Sequence, residues 1–149
     1  MNDLDGYTLH ESVPAPEEYM ALREAAGMPA RSLEGARAGL PNTVYGVSVR
    51  RDRAGDDHPR GDTDGELVGM GRVVGDGGTT YVLSDVAVDP AVQGRGLGTR
   101  ITEALVEWVD EHAPSRAYVT LVADVEGFYE RFGFERTAPD SHAMFRRVE

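Results

Sequence analysis

Apolar and polar positions change period several times along this chain, and each change marks an element. GYTLHESV, residues 6–13, alternates as a strand does, and Pro14 ends it. Between Ala15 and Ala26, PEEYMALREAA carries acids in its first turn and is followed by Gly27, the start and stop signals of a helix. ARSLEGARAGL, closed by Gly39 and Pro41, predicts a second and weaker helix, and TVYGVSVR a strand. ELVGMGRVVGD and TTYVLSDVAVD read as two further strands joined by the Gly77-Gly78 turn. From Thr99 to His112 the apolar residues Ile101, Ala104, Leu105, Trp108 and Val109 recur at helical spacing, so one face of a long helix, Trp108 included, belongs to the core. AYVTLVA predicts a short buried strand and VEGFYERF a short helix stopped by Gly133; FERT and AMFRRV predict closing strands. The order of strand, two helices, three strands, helix, strand, helix and strands implies an α/β fold with a mixed sheet covered on both faces.

Composition narrows the class. The 149 residues, 40% of them apolar, fit one domain spanning 1–149, with no internal repeat. Residues 51–65, RDRAGDDHPRGDTDG, are rich in charge and glycine and nearly free of apolar side chains, so they are expected to form an exposed, mobile loop. No apolar run approaches the ~20 residues of a membrane span, and the start lacks the basic-then-apolar order of a secretory leader, so a cytoplasmic protein without membrane contact is expected. There is no Cys, and His10, His58, His112 and His142 are scattered without ligand spacing, so no metal is expected.

Charge changes the picture further. The chain has 26 acidic residues against 15 basic ones, a formal net charge of −11, and all the basic residues are Arg. Such a surface repels phosphate backbones, which argues against a nucleic-acid partner. An excess of carboxylates without Lys suits a protein working in molar salt, where self-repulsion is screened; a genome favouring Arg codons is the plainer explanation.

Candidate chemistry concentrates in VDPAVQGRGLGTR, residues 88–100. Gly94, Gly96 and Gly98 stand directly before the long helix, where backbone N–H groups and a positive dipole end favour an anion. A P-loop needs a Lys that this chain lacks, and a dinucleotide fingerprint needs a different glycine spacing straight after the strand of a repeated unit. The pyrophosphate of coenzyme A is the third candidate.

Gln93-Gly94-Arg95-Gly96-Leu97-Gly98 fits the pattern of Arg or Gln, two residues, Gly, one residue, and Gly or Ala that opens the central helix of the GCN5-related N-acetyltransferase (GNAT) family. SDVAVDPAVQGRGLGTRITEAL resembles that family's fourth strand, phosphate loop and third helix, and GFYERFGF its later helix and turn. The resemblance covers most of the chain, from about Tyr7 to Val148. It implies a splayed mixed sheet of six to seven strands with about four helices on both faces, and acetyl-CoA as acetyl donor. Backbone N–H groups of Gly94, Arg95, Gly96, Leu97 and Gly98 would hold the pyrophosphate, with Gln93 and Thr99 bracketing the loop. Val86, Ala87 and Val88 would pair with the pantetheine arm as an added half-strand. Arg95 is equally compatible with a solvated surface charge.

The same resemblance puts Tyr129 beside the coenzyme sulfur, where a phenol can protonate the departing thiolate; packing among Phe128, Phe132 and Phe134 is the plainer role. Asp85, a carboxylate in an otherwise apolar strand, is the first candidate base for the acceptor's proton, with a structural role at a bulge as the alternative and Asp124 and Glu126 in reserve. Many relatives carry Asn and Ala upstream of the Tyr, where this chain has Val122 and Val125. The first two helices would wall the acceptor site, which nominates Tyr19, Arg23, Met28, Arg31 and Tyr45. His112 and His142 belong to no motif and suit surface or capping roles. The expected activity is direct transfer of an acetyl group to a primary amine of a small-molecule acceptor in a ternary complex, without a covalent acyl-enzyme. A non-catalytic acyl-CoA-binding sensor is the alternative. Dimers are common in the family, which leaves a homodimer open, although no segment marks an interface.

Overall fold

The computed structural model describes residues 4–53 and 65–149, so the loop expected over 51–65 falls, apart from its ends, outside the described residues. One sheet runs in the order β1 (Tyr7–His10), β2 (Tyr45–Arg51), β3 (Leu67–Gly75), β4 (Thr80–Val88) and β5 (Tyr118–Thr120). Neighbours are antiparallel except that β5 runs parallel to β4. A parallel pair needs a long crossover, which α3 (Leu97–His112) supplies.

Helices α1 (Pro16–Ala25) and α2 (Leu33–Gly39) come between β1 and β2. Proline at the first position of α1 gives up no helical hydrogen bond, and Glu17 and Glu18 complement the dipole of its first turn. Ser32 caps α2, its Oγ accepting from the Gly35 N–H at 2.9 Å.

Two apolar clusters show that both faces of the sheet are covered. Ile101, Leu105 and Val109 of α3 pack with Val47, Val49, Val73, Tyr81 and Leu83. Tyr19, Leu22, Ala36 and Leu40 pack with Met70 and Ala87 on the other side. Burying a residue such as Leu105 fully contributes roughly 1.5–3 kcal/mol. Gly71 lets α3 sit this close, because a Cβ there would lie 2.6 Å from Ile101 and 3.0 Å from Leu105. Trp108 is half-buried at the edge of the α3 cluster, stacked on Tyr45 at 5.3 Å and on His112 at 4.5 Å.

The sequence overestimates the element count. Among the described residues there are five strands and three α-helices, not six to seven and about four. VEGFYERF yields only the 3-10 turn Tyr129–Phe132, held between Gly127 and Gly133, both at positive φ. FERT and AMFRRV form no regular element and pair with no strand among the described residues. The β3–β4 connection is also broader than a two-glycine turn. Its organiser is Asp76, whose carboxylate accepts from the N–H groups of Gly78, Thr79 and Thr80 at 2.8, 2.8 and 3.1 Å. Hydrogen bonding, led by the Thr79 hydroxyl, holds this exposed carboxyl well below the usual carboxylate range.

Candidate active site

The glycine-rich segment lies between β4 and α3. Asp89 Oδ1 accepts from the Ala91 N–H to shape the turn Pro90–Val92, and the Gln93 side-chain amide donates to the Val88 carbonyl at 3.3 Å. Gly94 and Gly96 then take φ of +82° and +81°, which a side chain rarely tolerates, while nothing stands within 4 Å of where a Cβ would be. Their glycines are therefore demanded by the backbone, and the space above them is open. Gly98 has ordinary φ and would bring a Cβ only to 3.8 Å from Val88, so the third glycine is not required in the same way. The first helical bond of α3 is Arg100 N–H to the Gly96 carbonyl; none of the N–H groups of residues 94–99 donates to a described residue. A row of donors without described partners at a helix start suits an anion. Arg95 is exposed beside it and forms no ion pair among the described residues.

Next to this loop the sheet opens. β5 pairs with β4 only over Thr80–Val82, so from Leu83 to Val88 β4 has, among the described residues, a neighbour on its β3 side alone. Val86, Ala87 and Val88 thus present a free backbone edge leading to the glycine loop. A bulge lies at the branch point: Arg72 opposes Ser84 and Met70 opposes Ala87, leaving one extra β4 residue. Asp85 absorbs it at φ +59°. The bulge exchanges the faces of β4, so that Leu83 before it and Val86 and Val88 after it all face the α3 cluster, while Ala87 joins the α1 side.

Asp85 is not the unpartnered carboxylate that its apolar strand suggested. It is buried with Arg23, and its two oxygens accept from Tyr19 Oη at 3.0 Å, from Arg23 Nη1, and from Arg72 Nε at 2.9 Å. Arg23 also donates to the Pro29 carbonyl at 2.7 Å and Arg72 to Thr43 Oγ1 at 2.7 Å. Both guanidiniums lie near the Tyr19 ring, 5.9 and 5.7 Å from its centre. Burial, then the Asp85 charge, pushes the Tyr19 phenol up, so it stays a neutral donor. With three donors on its two oxygens, this carboxylate ties both guanidiniums and the Tyr19 hydroxyl together.

Above the cluster a cleft of about 190 Å³ is lined by Tyr19, Arg31, Ser32, Leu40 and Arg72, among others. Arg31 is exposed and without an ion pair among the described residues, and Arg72 Nη2 donates to none of them. Of the nominated acceptor-site residues, the structure brings together Tyr19 and Arg23 in the cluster and Arg31 in the cleft. Met28 packs against the α1–α2 core. Tyr45 lies elsewhere, stacked on Trp108, with its hydroxyl donating to Glu11 Oε2 at 2.8 Å. Arg72 is the residue that sequence reasoning missed; its signal was a lone charge in the apolar run LVGMGRVVG of β3.

Tyr129 follows β5. Its ring meets Phe128 and Phe134 edge-on at 4.9 and 6.3 Å, and burial, with a smaller effect of Asp124, pushes its phenol up. Both the protonating and the packing role remain compatible with this setting. Asp124 is exposed, and so is Glu126, which reaches Arg136 at 3.5 Å. Val122 and Val125 are exposed as well. His112 Nδ1 lies 2.9 Å from the Trp108 carbonyl in the last turn of α3, a capping position, and His142 is exposed. Among the described residues no cluster of side chains could hold a metal ion, and no helix is long and apolar enough to cross a membrane.

The structure thus sets an α/β sheet that splays beside a glycine loop whose backbone donors lack described partners. Residues 60–136 match the acetyltransferase (GNAT) domain, and the chain belongs to the GCN5-related N-acetyltransferase family. It is similar to a histone acetyltransferase of Glycine max, 32% identical over 86% of this chain and 55% of that protein. The chain spans about half the length of the first curated relatives it matches. A crystal structure of a probable acetyltransferase of unknown function from Staphylococcus aureus superposes with a TM-score of 0.82 at 35% identity, covering 95% of this chain and 99% of that one. A GNAT family acetyltransferase from Brucella melitensis in complex with acetyl-CoA shares the fold, with a TM-score of 0.59 at 20% identity over 87% of this chain and 83% of that one.

Proposed function

We propose that this protein transfers the acetyl group of acetyl-CoA to the amine of a small acceptor that also carries a carboxylate or phosphate. The observation that supports the donor is the row of unpaired N–H groups at 94–99, continuous with the free β4 edge at 86–88. These fit a pyrophosphate followed by an extended amide-bearing arm. Bound there, the coenzyme supplies an activated thioester. Tyr129, a neutral phenol well into the alkaline range, donates a proton to the sulfur as the thiolate leaves. Asp85 serves as a positioning residue that fixes Arg23 and Arg72, and the amine proton passes to water. Because the amine attacks directly, donor and acceptor are bound together.

Charge supports the acceptor class. Arg23 and Arg72 against Asp85 leave one positive charge, and Arg31 adds a second, on a chain whose net charge is −11. Such a local excess orients an anionic group and disfavours a Lys-rich tail, despite the acidic surface. The test is thiol release from acetyl-CoA with matched acceptors, phenylalanine against phenylethylamine and glucosamine 6-phosphate against glucosamine. The anionic member of each pair should be turned over with the higher kcat/KM. Arg31→Ala should lower that value roughly 10- to 100-fold for it alone. Equal rates within both pairs would contradict the acceptor class, and binding of acetyl-CoA without turnover of any amine would favour a sensor.

A further inference from the structure

The α2 wall of the cleft above Tyr19 carries a glycine from which the helix gains nothing. Gly35 and Gly39 stand four positions apart, so they share one face of α2, and both line the cleft together with Ala36 and Leu40. Glycine is the least favourable helical residue after proline, because it gives up the most backbone freedom. A positive φ or a close neighbour would account for it. Gly35 has the second reason, since a Cβ there would lie 3.0 Å from Oγ of Ser32, the cap of the helix. Gly39 has neither. It ends α2 at φ −88°, and apart from its chain neighbours and its own helix backbone no described atom stands within 4 Å of where its Cβ would be. Helix ends call on glycine for a left-handed turn, and this end does not turn that way.

The open space beside Gly39 belongs to a cleft with two unlike sides. Arg31 and Arg72 give one side its charge, while α2 backbone with Ala36 and Leu40 gives the other an apolar wall. The Tyr19 hydroxyl is already committed to Asp85 at 3.0 Å. One short stretch of chain fixes both sides: residues 35–40 make the wall, and Thr43, three residues on, accepts from Arg72 Nη1 at 2.7 Å while Asp85 accepts from Nε at 2.9 Å. Arg72 is thus held in place relative to the wall. At about 190 Å³ the cleft exceeds the roughly 150 Å³ of an apolar cavity that admits benzene.

We propose that Gly39 is a specificity-determining residue: the acceptor's apolar body, with the bulk of an aromatic or branched side chain, lies against α2 at Gly39 while its anionic group meets Arg31 and Arg72. This rests on the acceptor reading given above and narrows it to amines whose anionic group adjoins a sizeable apolar group. Such a body gains by leaving water against Ala36, Leu40 and bare helix backbone. A side chain at position 39 would occupy the same space, which is the reason for glycine there.

The test compares phenylalanine with alanine, which share amine and carboxylate and differ only in the body, by thiol release from acetyl-CoA. Wild-type kcat/KM should favour phenylalanine about 10-fold or more. Gly39→Leu should lower that ratio roughly 10-fold, and Gly39→Ala by a smaller measurable factor. Acetyl-CoA should bind both variants as it binds the wild type, and Gly39→Ala should melt no lower, because alanine suits this φ and this helix. A residue that merely completed α2 would change stability and leave the ratio alone. A wild-type ratio of one or less would overturn the proposal, as would a ratio that both folded variants keep. Should Gly39→Leu not fold, Gly39→Ala decides, and a ratio equal to the wild type's overturns the proposal. The reading beneath it fails separately, by equal rates for phenylalanine and phenylethylamine; no turnover of any amine would overturn both.

Discussion

At the scale of single residues, environment separates side chains that look equivalent in the sequence. Asp85 and Asp76 are both carboxylates in or beside β-structure, yet one is buried under two guanidiniums and a phenol while the other organises an exposed turn. Asp85 was legible as special because a carboxylate in an apolar strand needs partners. Its partners were not legible, since Tyr19 and Arg23 lie more than sixty positions away and only the packing of α1 on β4 joins them. Tyr129 carries the residue-scale prediction. Tyr129→Phe should lower kcat about 100-fold while leaving acetyl-CoA affinity near wild type, because removing the hydroxyl removes the proton donor and keeps the ring. Burial raises this phenol above 10, so the folded state favours its neutral form; that preference persists below pH 10 and is lost as pH rises through the higher folded value. The alkaline fall in rate caused by Tyr129 should accordingly lie above pH 10. Undiminished turnover by the Phe variant would remove the acid role and leave packing.

At the scale of elements, what the chain's periodicity encodes strongly was readable, and what depends on a neighbour was not. The long amphipathic helix appears at Leu97–His112, two residues earlier than the start read at Thr99, because the glycine loop delivers the chain directly into helical geometry. The hairpin strands and both earlier helices also form. The register of β4 could not be read, because the bulge at Asp85 depends on its pairing with β3 and changes the face of every residue after it. FERT and AMFRRV have the composition of strands, but a strand exists only beside another, and neither segment pairs with one among the described residues. Likewise, Tyr45 was nominated for the acceptor site from its place in the sequence, and its strand carries it to the Trp108 side. The conformation of the glycine loop was the most legible part, since positive φ at Gly94 and Gly96 is a local requirement written by the residues themselves.

At the scale of the whole molecule, the charge of −11 on 149 residues governs how the fold responds to salt. Debye screening contracts to roughly 3 Å at 1 M salt, which mutes repulsion among exposed carboxylates but touches buried pairs such as Arg23–Asp85 far less. The melting temperature should therefore rise from dilute buffer to several molar KCl, and no gain in stability would contradict adaptation to high salt. The same acidic surface would repel an anionic coenzyme, so the proposed binding relies on the local donors at 94–99 rather than on the overall field.

Calorimetric titration of acetyl-CoA into the full chain tests that central claim most directly, with Gly96→Ala and Gly96→Glu as paired variants. Both substitutions strain the same positive-φ position, and only the second places a negative charge on the loop. The wild type should bind, the Ala variant more weakly, and the Glu variant not at all while remaining folded. No binding by folded wild-type protein, or equal binding by the Glu and Ala variants, would contradict the coenzyme site and the acetyl transfer built on it.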